Sequence, residues 1–210
     1  MGTADMVTKE YMRENAVFAD AFNYLIYNGK KVIDPTEIAL PFGDEEKAGE
    51  DKKGKVQETE WSSVKNGSVR KKTAGRAGKK TDAVQKYRDI LKSAVIKQDE
   101  KMSYVLLGIE NQTDVHYAMP VRNAIYDALQ YGRQVADIAA EHRRNKKDFT
   151  GKSNGEYLSG FLKEDCIKPV ITLVIHFGAE EWDGPLSLHE MMSVSDIEIL
   201  SFVENYRIHL

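Results

Sequence analysis

Asp89, Glu110 and Gln112 are the residues whose types and spacing could do chemistry. Asp89 stands in KYRDILK, and Glu110 and Gln112 close the run YVLLGIENQ. Side chains on a strand alternate between faces, so Glu110 and Gln112 point the same way, roughly 6–7 Å apart, with Asn111 opposite. A carboxylate ending an otherwise apolar strand is costly unless it is solvated, paired or coordinating an ion. Two carboxylates from adjacent strands, converging at one end of a sheet, form half of the oxygen cage that Mg²⁺ prefers. That ion takes hard oxygen ligands at about 2.0–2.1 Å, with waters and a phosphate oxygen completing the octahedron. So held, it acidifies a bound water and neutralises charge building on phosphorus. The bland alternative is a solvated strand end or a salt bridge to Arg88 or Lys92, and spacing alone favours it.

The elements that must position these groups are legible in part. Val17, Phe18, Ala21, Phe22, Leu25 and Ile26 recur at helical spacing and predict one helix over 7–27. Asn28 and Gly29, which tolerate left-handed backbone, close it. EIALPF (37–42) reads as a strand or sheet edge, 85–92 as a strand or turn, and 104–112 as the clearest strand. Pro120 suits the first turn of a helix whose apolar stripe, through Ile125, Leu129 and Ala139, runs to about His142. Residues 170–177 are apolar on both alternating faces, as in a strand covered on both sides. Short helices near 188–192 and 195–202 and a strand-like 206–210 follow. This order implies a single α/β domain with a mixed central sheet flanked by helices. Residues 43–82, rich in Gly, Lys, Glu, Ser and Thr with Trp61 their only large aromatic, predict a flexible charged insertion.

A net charge of -3 gives no global attraction for nucleic acid, so a DNA-binding surface must come from local clusters of Lys and Arg. One such cluster is the second half of the insertion, SSVKNGSVRKKTAGRAGKK, which carries only basic residues. Cys166 is the only cysteine, which excludes an intrachain disulfide and a thiolate metal cage. The five histidines are too scattered for a zinc motif. The start MGTADMVTKEYMRENA lacks the basic and apolar parts of a secretory leader, and the longest apolar run, 170–177, is too short to span a bilayer. The expected setting is cytoplasmic and nucleoid-associated, with no membrane partner.

Several stretches occur together in a telling order: FADAFNYLIY, VQKYRDILK, YVLLGIENQ, HYAMPVRNAIYDALQY, LSGFLKEDCIKPVITLVIHFG and EEWDGPLSLHEMM. In this the chain resembles the recombination-promoting nuclease (YhgA-like transposase) family of the PD-(D/E)XK nuclease superfamily, over residues 7–42 and 83–210. The resemblance implies a restriction-endonuclease-like core and a DNA endonuclease dependent on Mg²⁺, with Mn²⁺ able to substitute, linked to recombination or transposition. It implies that Asp89 is the acid of the PD element, preceded here by Arg88 rather than proline, and that Glu110 is the acid of the (D/E)XK element. Gln112 stands where the usual lysine would. Glutamine can orient a water but brings no charge, so a nearby cation such as Lys92 or Arg122 is asked to replace it. Asp20 matches an acidic helix position that can approach the metal. The insertion, and a C-terminus short of the family's helical tail, are departures. They favour the alternative of a catalytically weak or inactive DNA-binding transposon remnant.

Around these acids, Lys86, Arg88, Lys92 and Arg122 are candidates to hold the DNA backbone, as are Arg143 and Arg144 at the end of the second main helix. A charge run there more often decorates a solvated surface. Gln130 could orient a water or phosphate, while Tyr126 and Tyr131 read as packing residues with a hydrogen-bonded tip. His176 reads as a core histidine, and Phe177 and Trp182 as core. No base-reading element such as a helix-turn-helix is present, so low sequence specificity is expected. The expected partners are DNA and, as one arrangement, a second copy in a homodimer.

Overall fold

The computed structural model describes residues 3–40, 89–98 and 101–210. The insertion over 43–82, Trp61 and the candidates Lys86 and Arg88 lie outside these residues.

One helix was expected over 7–27, but two are found: α1 (Thr3–Arg13) and α2 (Asn15–Tyr27). Glu14 is extended, at φ -63 and ψ 127, and breaks the helical ladder between them. The physical cause lies beyond the helix itself. The Asn15 amide donates to the carbonyls of Pro35 and Ile38, at 3.2 and 3.3 Å, tying the start of α2 to the next strand. At the other end Asn28 takes the left-handed conformation, φ 52, as its residue type predicts. Buried Asn23 then fixes the turn that follows. Its amide donates to Ile33 O at 3.0 Å, and its Oδ1 accepts from Val32 N and Ile33 N at 3.0 and 2.8 Å.

The sheet contains β1 (Ile33–Ala39), β2 (Ile90–Gln98), β3 (Lys101–Gln112) and β4 (Val170–His176), in that spatial order. The first three are antiparallel, and β4 joins β3 in parallel, with Glu110 beside Val174 and Gln112 beside His176. The connection from β3 to β4 carries α3 (Met119–Arg144) and α4 (Asn154–Ser159), as a parallel crossover requires. The fold is therefore mixed α/β, a four-stranded mixed sheet flanked by helices.

Strand alternation sorts the side chains. On one face, Ile90, Ala94, Ile96, Val105, Leu107, Ile109 and Leu173 pack with Phe18 and Phe22 of α2 and Met12 of α1 in the main core. Each such fully buried side chain contributes about 1.5–3 kcal/mol by leaving water. The opposite face meets α3: Met119 and Val174 pack with Ile208, and Thr172 donates to Asp127 at 2.9 Å. Tyr206 donates to the other oxygen of Asp127, fastening the C-terminal segment to the same helix.

The expected C-terminal strand is reduced to single bridges, Ser187 with Arg207 and Leu173 with His209. The expected short helices are a 3₁₀ turn (His189–Met191) and α5 (Ile197–Leu200). Phe177, expected in the core, is 41% exposed because it lies just past the end of β4. Among the described residues no helix is long and apolar enough to cross a membrane.

Candidate functional site

Glu110 belongs to the set of β3 residues that faces α3, since Leu107 and Ile109 face the other way into the main core. Register then locates its neighbour. Ile90 pairs with Ile109, so Asp89, one step before β2, stands opposite Glu110 at the same end of the sheet. Directly opposed residues of an antiparallel pair share a face, with Cβ atoms about 4.5–5.5 Å apart. Asp89 itself precedes the ladder, so the register places the two acids at the same end of neighbouring strands.

Each acid carries a cation. Glu110 is fully buried, and its Oε2 lies 3.2 Å from Nη2 of Arg122, whose side chain is 27% exposed. Arg122 comes from the first turn of α3, where Pro120 starts the helix. Its Nε donates to the Tyr126 hydroxyl at 2.9 Å, one helical turn on, and its guanidinium lies 5.6 Å from the Tyr126 ring centroid. Burial alone would lower the pKa of Arg122. The Tyr126 hydrogen bond and the charges of Glu110 and Asp89 outweigh it, so the value stands above the ordinary one. Arg122 therefore senses both acids. Asp89 is held from two sides: Lys9 of α1 places its ammonium 3.1 Å from Oδ1, and the backbone N–H of Asn111 donates to Oδ2 at 3.0 Å. The second contact makes Asp89 an end-cap of the β2–β3 ladder as well as a site acid.

Gln112, half-buried, donates through Nε2 to the carbonyl of Asn111 at 2.9 Å. Its register partner His176 donates through Nε2 to the Glu180 carbonyl, 2.8 Å away, and meets Trp182 edge-on at 5.5 Å between ring centroids. The end of the sheet is closed by a tight approach: a Cβ on Gly178 would fall 2.3 Å from the Thr113 carbonyl oxygen, so only glycine fits there. Beyond it opens a cavity of about 640 Å³ lined by Asp114, Tyr117, Glu180, Glu181 and Asp183 among others. Its wall is acidic, so it disfavours anions.

Five candidate residues are placed elsewhere. Lys92 lies on β2 facing the main core, on the opposite face from Glu110. It is 7% exposed, its ammonium donates to Arg13 O and to Asn15 Oδ1 at 2.7 Å, and it sits 4.8 Å from the Phe18 ring centroid. Burial first, and the Arg13 charge second, lower its pKa. Its role is to join α1, α2 and β2, and Arg122 is the cation beside the acids. Asp20 is exposed on α2. No group of three acids, histidines or cysteines able to hold one ion forms among the described residues. Arg143 and Arg144 are exposed at the far end of α3, about 30 Å from Arg122 at 1.5 Å per residue. Gln130 lines a separate cavity of about 310 Å³ with Leu106, Arg133 and Lys168.

Lys9 was missed. No local pattern marks it, because the contact joins α1 to a residue eighty positions away. Buried Asn111 and Asn123 were also missed, and the side-chain amides of both are without hydrogen-bond partners in the structure.

The donor set fits a hard divalent cation in kind. Two carboxylates stand at one end of the sheet, each beside a cation, and carboxylate oxygens are the ligands such an ion takes. No family model, curated protein or solved structure matches the chain.

Proposed function

We propose that the protein is a metal-dependent DNA endonuclease, hydrolysing phosphodiester bonds with low sequence specificity in the service of recombination or transposition. The observation that supports the reading is that Asp89, one residue before β2, and Glu110 of β3 stand at the same end of the sheet and that the charges of both act on the Arg122 guanidinium. The mixed sheet flanked by helices is consistent with a PD-(D/E)XK core, and the resemblance to the recombination-promoting nuclease family supports the same roles.

Asp89 and Glu110 would hold Mg²⁺, or Mn²⁺ in its place. When bound, the ion supplies an acidified water and a positive charge at the phosphate. Gln112 has its amide nitrogen anchored on Asn111 O, which sets the direction of its oxygen as a water acceptor. Arg122 supplies the positive charge that a glutamine at position 112 lacks, and its planar fork suits a phosphate as well as a carboxylate. The backbone N–H of Asn111 keeps Asp89 in place while its other oxygen faces Lys9.

A second reading, a DNA-binding transposon remnant without turnover, is favoured by the two ion pairs. Lys9 and Arg122 neutralise both acids without any metal. Supercoiled plasmid incubated with the protein and Mg²⁺ or Mn²⁺ separates the two. The endonuclease reading expects nicking that stops with EDTA and in Asp89→Ala. Nicking that survives either treatment refutes the assigned site, and plasmid retention without nicking selects the remnant.

A further inference from the structure

We infer that Lys9 is a resident counter-ion of the acid pair, which competes with the divalent cation for Asp89. This rests on the metal-dependent reading above and names how its site is regulated. The two carboxylate oxygens of Asp89 are engaged differently. Oδ2 accepts from the Asn111 backbone N–H, and giving up that contact would fray the β2–β3 ladder. Oδ1 faces the Lys9 ammonium at 3.1 Å, with the two side chains 19% and 17% exposed. An incoming cation must therefore take Oδ1 from Lys9.

The partner of Glu110 is less free to leave. Arg122 is fixed by Tyr126 through a hydrogen bond and a ring contact, and it faces a carboxylate with no exposure to water. Lys9 has a flexible four-carbon stem and a compact, strongly hydrated charge, held against Oδ1 of Asp89 with its side chain 19% exposed. Arg122 is thus the more firmly anchored of the two cations, and Lys9 is the one set against the oxygen that an ion would take. Competition of this kind is reciprocal: what Lys9 gains at Asp89, the metal must overcome. For a pair of this exposure the penalty amounts to about two- to fivefold in metal affinity.

Mn²⁺ titration of the full chain without DNA, followed by the EPR signal of free Mn²⁺, tests this in the wild type, Lys9→Met, Lys9→Arg and Asp89→Asn. Lys9→Met is expected to bind Mn²⁺ about two- to fivefold more tightly, Lys9→Arg to match the wild type, and Asp89→Asn to lose the site. Binding by Lys9→Met no tighter than the wild type, with Asp89→Asn still deficient, overturns the competition and spares the metal reading. Binding by Asp89→Asn equal to the wild type, or none by the wild type, overturns the metal reading and the inference together. Should Lys9→Met fail to fold, the wild type decides the matter. After reductive ¹³C-methylation, the Lys9 signal, identified by its loss in Lys9→Arg, must shift on adding Mg²⁺ and stay still in Asp89→Asn. A Lys9 signal indifferent to Mg²⁺ in the wild type overturns the inference.

Discussion

Replacing Arg122 by Met leaves Glu110 as a fully buried carboxylate beside an apolar side chain. Removing one partner of a buried ion pair costs about 3–5 kcal/mol, because the remaining charge keeps its desolvation penalty. Glu110 has no exposure but Arg122 keeps 27%, which places the expected loss near the lower end, about 3 kcal/mol. The Tyr126 hydroxyl also loses the guanidinium as a donor, adding about 0.5–1 kcal/mol. For a chain of this length the sum corresponds to a fall in Tm of about 7–16 °C. Urea unfolding followed by circular dichroism measures it, with the slope m checking that the unfolded state is unchanged. The decisive comparison is the double variant Glu110→Gln with Arg122→Met. If the cost is the stranded charge, neutralising Glu110 recovers about 1–2 kcal/mol relative to Arg122→Met alone. An Arg122→Met protein within about 1 kcal/mol of the wild type, or a double variant no more stable than the single, refutes the reasoning. The arginine would then matter only as an apolar stem on Tyr126.

Asn23→Ala removes the partner of two backbone N–H groups and one carbonyl at the α2–β1 turn. A loss of roughly 3 kcal/mol is expected in urea unfolding, and a loss under about 1 kcal/mol would mean that water replaces the amide. Lys92 has a folded pKa below its ordinary 10.5, so the unfolded chain binds more protons in that window. Wild-type stability should therefore rise relative to Lys92→Met as pH climbs from the folded value towards 10.5, and parallel pH profiles would contradict this. Glu156, held by the Ser153 backbone N–H, the Ser153 hydroxyl and the Lys163 N–H, has its pKa lowered from 4.5 to about 2. Its stabilisation is complete above the unfolded value and is lost as pH falls from about 4.5 towards 2, so Glu156→Gln should flatten that acid limb in thermal melts. An unchanged limb would show that the capping box at α4 does not carry it.

Chemical type and period were enough to mark the strand that ends in ENQ and the helix that begins near Pro120. Each is a local property, expressed within a few residues, and the structure has β3 closing at Gln112 and α3 starting at Met119. The capping box SNGE, which starts α4, was equally local and was passed over. The assignment of cations was not local. Lys92 and Arg122 look alike as neighbours of an acid, but strand alternation turns Lys92 into the core face and helix α3 brings Arg122 over the other. The break at Glu14 follows from Asn15 reaching the carbonyls of Pro35 and Ile38, and Lys9 meets Asp89 only once α1 lies against the sheet. The amino-acid sequence by itself determined which groups are available and the place of the most strongly patterned elements, the strand ending at Gln112 and the helix starting beside Pro120. Only the tertiary structure decided which charges neutralise which, because a few ångströms and the choice of sheet face settle that, and both depend on packing between segments distant along the chain.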